Sequence, residues 1–361
     1  MLSRKLSKNA VKCIEAQHRP STRQIYHHHW EAWKAWCKNN KVKDPARPCA
    51  HHVANYLAFL SQVKGLSAAT LKTRRAAIAS VLSTSGLKQV TEHRSVSEVI
   101  KGAENLQPRK NRFVPEWDLA VVLNYLKSNT MKNNRLLNLD LLTYKTAFLI
   151  ALASGRRASE ITNLSGLNGD LSFDPDGSIC LKFLPDFLAK NQRPNDRSPT
   201  VRIAPLSRAV DPDQEDISLC PVRALKVYRS RSSKVRSPTQ RALFISVNPA
   251  YTKDITRATL SRWLKSTIRS AYISLGLIRS KKGSQGSDLT LGNPRSHEIR
   301  SWATTMASTT TPIAEVMQAA YWRSPSVFVK HYLRDIAMRS ECGKLRLPAM
   351  VAAQTAVASN S

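Results

Sequence analysis

Between residues 21 and 106, apolar side chains recur at helical spacing in a chain that is otherwise polar. Tyr26, Trp30, Trp33 and Cys37 stand at i, i+4, i+7 and i+11, which places them on one helix face. Ser21, with Gln24 three residues later, has the form of a capping box, so this helix is expected to open there. Val53, Leu57, Leu60 and Val63 predict a second helix over about 50–63. Gly65 and Ser67 mark a stop and a fresh N-cap. A third helix follows at 67–83, with Leu71, Ile78, Val81 and Leu82 inward and Lys72, Arg74 and Arg75 largely elsewhere, and a fourth at about 95–105. The aromatic residues of the first helix are expected to pack in a core rather than stack on bases.

The pattern lapses over 1–20, read as a disordered basic arm, and over 107–113, Q-P-R-K-N-R-F, read as a linker. Beyond it the periodicity is mixed. Helices are expected near Glu116–Lys127, over Leu139–Ser154 ending at Gly155, over 220–228 and over Arg257–Tyr272. At 171–183 the period changes to two around the turn D-P-D-G, which predicts a β-hairpin, and 200–206 supplies a third strand. Ile313, Val316, Met317, Ala320 and Tyr321 form a late apolar stripe, and Ser324 with Pro325 opens a short helix. The expected fold is mainly α with a small antiparallel β-sheet. Its divisions are an arm at 1–20, a helical domain at 21–106, a linker at 107–113 and an α+β domain with a C-terminal tail at 114–361.

Charge changes the picture more than any single segment. The 361 residues hold 56 Lys and Arg against 25 Asp and Glu, a net +31, and such a field draws polyanions, nucleic acid first among them. The excess lies in both parts: 20 basic and 6 acidic residues up to position 110, leaving 36 and 19 beyond it. A charged helix face is usually a solvated face. Here the whole-chain charge favours Lys72, Arg74 and Arg75 as DNA-binding residues. Six scattered cysteines without a C-x-x-C pair suit reduced thiols and imply no metal site. His27, His28 and His29 are consecutive and fan around their helix, so they cannot converge on a metal. No basic amphipathic anchor, signal peptide or apolar run long enough to span a bilayer is evident, so an intracellular protein without a membrane partner is expected.

Against that charge, one stretch carries candidate chemistry. S-H-E-I-R places His297 and Arg300 one helical turn apart, followed by Trp322 and, ten residues later, Tyr332. Two side chains at i, i+3 can reach one phosphate from the same side, and Arg suits a bidentate grip on its oxygens. Upstream stand G-R-R-A-S-E, with Arg156, Arg157 and Glu160, and Lys190 at the start of a polar segment after the hairpin.

Taken in order, G-R-R-A-S-E, an isolated Lys beside a β-turn, H-E-I-R, then Trp and Tyr make the chain resemble the tyrosine recombinase (phage integrase) family. C-P-V-R-A-L, Y-W-R-S-P-S-V-F-V-K-H-Y and a Trp where many members have His resemble the recombinases of DIRS/Ngaro-type retroelements. The resemblance implies a helical core-binding domain followed by an α+β catalytic domain. It also implies Arg157 and Arg300 as a phosphate clamp, with Glu160 holding Arg157, and Lys190 as general acid. His297 and Trp322 would steady the phosphate, and Tyr332 would be the nucleophile. The family pattern of Gly, any residue, Arg selects Arg157 over Arg156. Ser301 stands where the family often has His.

The implied reaction is DNA strand breakage and rejoining through a 3′-phosphotyrosine, without metal or other cofactor. Double-stranded DNA would be the partner, four protomers would assemble on two duplexes, and in a eukaryote the nucleus would be the location. Two other readings stay open: a DNA-binding protein on the same fold that does not cut, and a type IB topoisomerase.

Overall fold

The computed structural model describes residues 7–108, 117–190, 192, 195–196, 198–206, 216–246, 248, 250–278, 291, 294–308 and 311–321. The chain divides into two compact units, Met1–Asn111 and Arg112–Ser361, a division that falls within the predicted linker.

The first unit is helical: α1 Lys8–Ala16, α2 Pro20–Asn39, α3 Ala50–Gln62, α4 Ala68–Ser83, α5 Gln89–Glu92 and α6 Arg94–Leu106. α3, α4 and α6 lie close to their expected spans. Two expectations are corrected. Residues 8–16 of the supposed disordered arm form α1, because the Ser7 hydroxyl accepts from the Ala10 N–H at 3.2 Å and Ala10, Val11 and Ile14 turn toward the protein. α2 opens at Pro20 with Arg19 as N-cap, so Ser21 lies inside it. A proline at the first helical position lacks only a donor that would have no intrahelical partner anyway. The core gathers Trp33, Cys37, Val53, Tyr56, Leu57, Leu71, Ile78, Leu82 and Val96. Trp33 packs edge-on against Tyr56 and donates its indole N–H to the Pro45 carbonyl at 3.0 Å, so it is core as expected, whereas Trp30 packs half-buried against that core and Tyr26 lies half-buried beside His18.

The second unit contains α7 Leu119–Lys127, α8 Leu139–Ser154, α9 Ala158–Ile161, strands β1 Leu171–Phe173, β2 Ile179–Leu181 and β3 Val201–Ile203, then α10 Pro221–Ser232, α11 Arg257–Ser274, α12 Ser296–Ala307 and α13 Ile313–Ala319. α7 starts later than Glu116 because the Asp118 carboxylate caps the Ala120 N–H at 2.9 Å. The strands form an antiparallel meander, β1-β2-β3, with Ser172 opposite Cys180 and Cys180 opposite Arg202. Its first turn is the expected one: the Gly177 N–H reaches the Asp174 carbonyl at 2.9 Å, with Gly177 at φ +85°.

α8 is the axis of this unit. Its residues from Thr143 to Ser154, apart from Tyr144, are buried, and α10, α11 and α12 pack around it, with α7 packed on α11. One of those residues is charged. Lys145 is fully buried and donates from Nζ to the carbonyls of Leu126 at 3.1 Å and Met131 at 2.7 Å, covering the open end of α7. Burial lowers its pKa to about 8.

Candidate functional site

The sequence that ends α8 builds the site. An apolar helix stops where Gly155 takes the left-handed conformation at φ +55°, which a glycine adopts without the clash of a Cβ. Any Cβ there would lie 3.3 Å from the Thr304 methyl, so glycine also lets α12 approach this turn closely. Arg156 and Arg157 follow at once, and Arg157 is the N-cap of α9.

Arg157 and Glu160 form a closed pair. Nη1 of Arg157 donates to Oε1 of Glu160 at 2.7 Å, and the Arg157 backbone N–H reaches Oε2 at 3.2 Å. The Glu160 side chain is fully buried, whereas that of Arg157 keeps 16% of its surface exposed. The guanidinium is therefore fixed through Nη1 and keeps partial access to solvent.

Arg300 reaches the same turn from α12. It is 2% exposed, donating from Nη1 to the Gly155 carbonyl at 2.7 Å and from Nη2 to the Ala320 carbonyl at 2.9 Å. Thus the two arginines assigned to the clamp meet around one helix end although they are remote in sequence. His297, one turn earlier on α12, is exposed, while Arg300 is buried. Lys190 is exposed in a turn after β2. Trp322 and Tyr332 lie outside the described residues.

Two residues to which the sequence reading gave no role take part. Glu298 accepts the Trp117 indole N–H and the Arg295 N–H, each at 2.9 Å, and so anchors the start of α12. Arg156 is only 7% exposed and lies with its guanidinium carbon 5.3 Å from the centre of the Tyr321 ring. Its Nη2 donates to the Thr200 carbonyl at 3.4 Å, while among the described residues Nε and Nη1 have no acceptor. Burial, chiefly, lowers its pKa, and Arg157 adds to that effect. Tyr321 was expected on the apolar stripe of α13. It instead lies past the helix end, half-buried, at φ +55°, a conformation costing an L-residue about 1–2 kcal/mol.

Among the described residues this turn gathers three guanidinium groups, and Glu160 is the carboxylate paired there. Such an excess favours an anion with several oxygens. Among the described residues no His, Cys, Asp and Glu group could hold a metal ion.

No protein-family model and no curated protein matches the chain. Among solved structures it is similar to the Tn1549 transposon integrase in complex with transposon right end DNA, at a TM-score of 0.53 and 14% identity, covering 92% of this chain and 97% of that one. The chain has the tyrosine recombinase fold. A lambda integrase dimer bound to a COC′ core site scores 0.49 at 12% identity, with 87% and 92% covered. The XerH site-specific recombinase bound to difH substrate scores 0.49 at 17%, with 88% and 76% covered. On the tyrosine recombinase fold seen here, the expected mainly helical architecture with a small antiparallel sheet is observed.

The basic residues of α4 do not share one face. Lys72 is exposed and pairs with Glu104 of α6 at 3.1 Å. Arg74, half-buried, turns the other way, lining a groove of about 710 Å³ with Trp36, Tyr56 and Phe59. Arg75 is also half-buried.

Proposed function

We propose that this chain is a tyrosine recombinase or integrase that breaks and rejoins DNA through a 3′-phosphotyrosine. The observation that carries the reading is the convergence of Arg157, locked by Glu160, and Arg300 on the Gly155 turn. A phosphodiester resists attack because its own charge repels a nucleophile. Preorganised guanidinium groups on the non-bridging oxygens would offset the charge that grows in the transition state. His297 and Trp322 are assigned to steadying that phosphate.

In this mechanism the Tyr332 oxygen forms a bond to phosphorus and its phenol gives up a proton to solvent. The bond to the 5′-oxygen breaks, and Lys190 protonates the departing oxygen. The phosphotyrosine conserves the bond, so a 5′-hydroxyl from a second duplex can reverse the step without a nucleotide cofactor. Exchange between two duplexes requires four cuts, hence four protomers. The net +31 supports double-stranded DNA as the partner, with Lys72, Arg74 and Arg75 on the first unit contributing. The motifs around Cys220 and Trp322 favour a DIRS/Ngaro-type mobile element as the source, and in a eukaryotic cell the nucleus as the place of action.

One observation favours a second reading, a protein of this fold that binds DNA without cutting. Nη1 and Nη2 of Arg300 already donate to backbone carbonyls, and the side chain is almost fully buried. A nicked duplex that lets the 5′ fragment diffuse away distinguishes the two. The recombinase accumulates a covalent complex mapping to Tyr332, and Tyr332→Phe binds DNA without forming it. Binding by the wild type with no covalent product would leave the second reading. On supercoiled plasmid, relaxation without strand exchange would instead mark a type IB topoisomerase.

A further inference from the structure

We infer that Arg156 is a positioning residue for strand cleavage, acting through its stack on Tyr321; this rests on the recombinase reading above. Arg300 holds the Ala320 carbonyl, and Arg156 holds the next residue by its ring. The other ends of both ties belong to one turn, since Arg300 also holds the Gly155 carbonyl and Arg156 is the residue after it. Two guanidinium groups thus fix consecutive residues at the end of α13 to the turn that presents Arg157.

The backbone there is unusual. Tyr321 is at φ +55°, with its N–H donating to the Gln318 carbonyl at 3.0 Å. That is a helix-terminating position where glycine is the common choice. An aromatic residue persists in left-handed backbone when its surroundings over-determine it, and such places cluster at functional sites. Here the ring supplies what glycine could not, a face for a buried cation.

Arg156 is itself costly as a structural residue. A guanidinium that is 7% exposed, with Nε and Nη1 lacking acceptors among the described residues, is a poor way to fill a core. An apolar side chain would pack there without that penalty. What the guanidinium adds is a planar cation that touches the Tyr321 ring and the Thr200 carbonyl together. In sequence Thr200 closes the connection that carries Lys190, and Tyr321 immediately precedes Trp322. The tie therefore holds Thr200 and Tyr321 against the turn that presents Arg157.

Tyr321→Gly tests this, because glycine relieves the left-handed strain while removing the ring. The variant is expected to melt near the wild-type temperature and to bind duplex DNA within threefold of wild type. Covalent capture on the nicked duplex should nonetheless slow by tenfold or more. Arg156→Met should slow capture by a similar factor, and the double variant should be no slower than either single one, since each removes the same tie. Arg156→Lys keeps a cation over the ring and should recover most of the rate. Wild-type capture rates in Tyr321→Gly, or losses in the two single variants that multiply in the double, would overturn the proposal. So would a rate loss in Arg156→Met matched by an equal loss of affinity. A wild-type protein that forms no covalent complex would overturn the recombinase reading first, and this proposal with it.

Discussion

The cations of α4 and those of the Gly155 turn are the same residue types in opposite settings. On α4 they diverge: Lys72 is exposed against Glu104, and Arg74 faces a groove on another side. At the turn they converge, with Arg156 and Arg300 buried and Arg157 locked to a fully buried carboxylate. Divergent cations that stay partly in water can raise affinity for a polyanion, each in rough proportion to the counterions it releases. Convergent, desolvated ones act on a single anion and strengthen as charge develops on it. On the proposed recombinase reading, the first setting would serve docking and the second chemistry.

That contrast is most exposed to failure at Arg157. Arg157→Ala is expected to slow covalent capture by about 10²–10³-fold, the usual loss when one preorganised charge stabiliser is removed. Affinity for duplex DNA should change far less. Because the fully buried Glu160 would lose its partner, the variant should also melt lower. Combining Arg157→Ala with Glu160→Gln should restore much of the melting temperature and none of the rate. Equal losses of rate and binding would make Arg157 a docking residue and erase the distinction.

A second effect sharpens what burial does to a cation that has no anion to meet. Lys145 has its pKa lowered from 10.5 to about 8 by burial. The unfolded chain then holds this proton more tightly than the folded one, so stability rises with pH from about 8 and the gain is complete above 10.5. The integrated effect is at most roughly 3 kcal/mol. Lys145→Met should flatten that rise relative to wild type when the melting temperature is followed from pH 7 to 10.5. Identical slopes in the two proteins would show that Lys145 stays charged in the fold. This cation is structural, since its Nζ serves the carbonyls of Leu126 and Met131.

How much of this was legible in the sequence follows from how local each signal is. The α8 run with its terminal glycine, the D-P-D-G hairpin and α11 depend on nearest neighbours, and they fall where periodicity places them. The pairing of Arg157 with Glu160 spans three residues and could be read once G-R-R-A-S-E was matched to a family pattern. Arg156 could not be read, because in an R-R pair either residue looks solvated until Tyr321, remote in sequence, arrives to bury one of them. The start of α2 was misplaced because Ser21 and Gln24 fit a capping box while Pro20 can open the same helix a residue earlier. α1 was missed because a basic, polar segment shows few apolar positions, and three half-buried side chains were enough to order it. Divergence on α4 was readable in principle, since residues 72 and 74 lie two apart and cannot share a helix face.

The smallest effect concerns that divergence, and Glu104 is the residue that reports on it. Lys72 and Glu104 are each more than half exposed, with side chains at 53% and 58%. An ion pair of that kind stabilises a fold by only about 0–1 kcal/mol, so breaking it should barely move the melting temperature. Its consequence for DNA is separate. Paired with Glu104, Lys72 offers a phosphate little net charge. Removing the acid leaves a free ammonium and also removes a repulsive carboxylate. If this edge of α4 and α6 meets the duplex, Glu104→Gln should tighten binding severalfold at low salt. It should also steepen the dependence of log K on log salt by up to about 0.9. Lys72→Ala in the same background should cancel the gain. Arg74→Ala should change the slope less than Arg75→Ala, since Arg74 lies beside Tyr56 in the groove. An affinity in Glu104→Gln that is unchanged at every salt concentration would place this edge in solvent, leaving Lys72 as an ordinary surface cation.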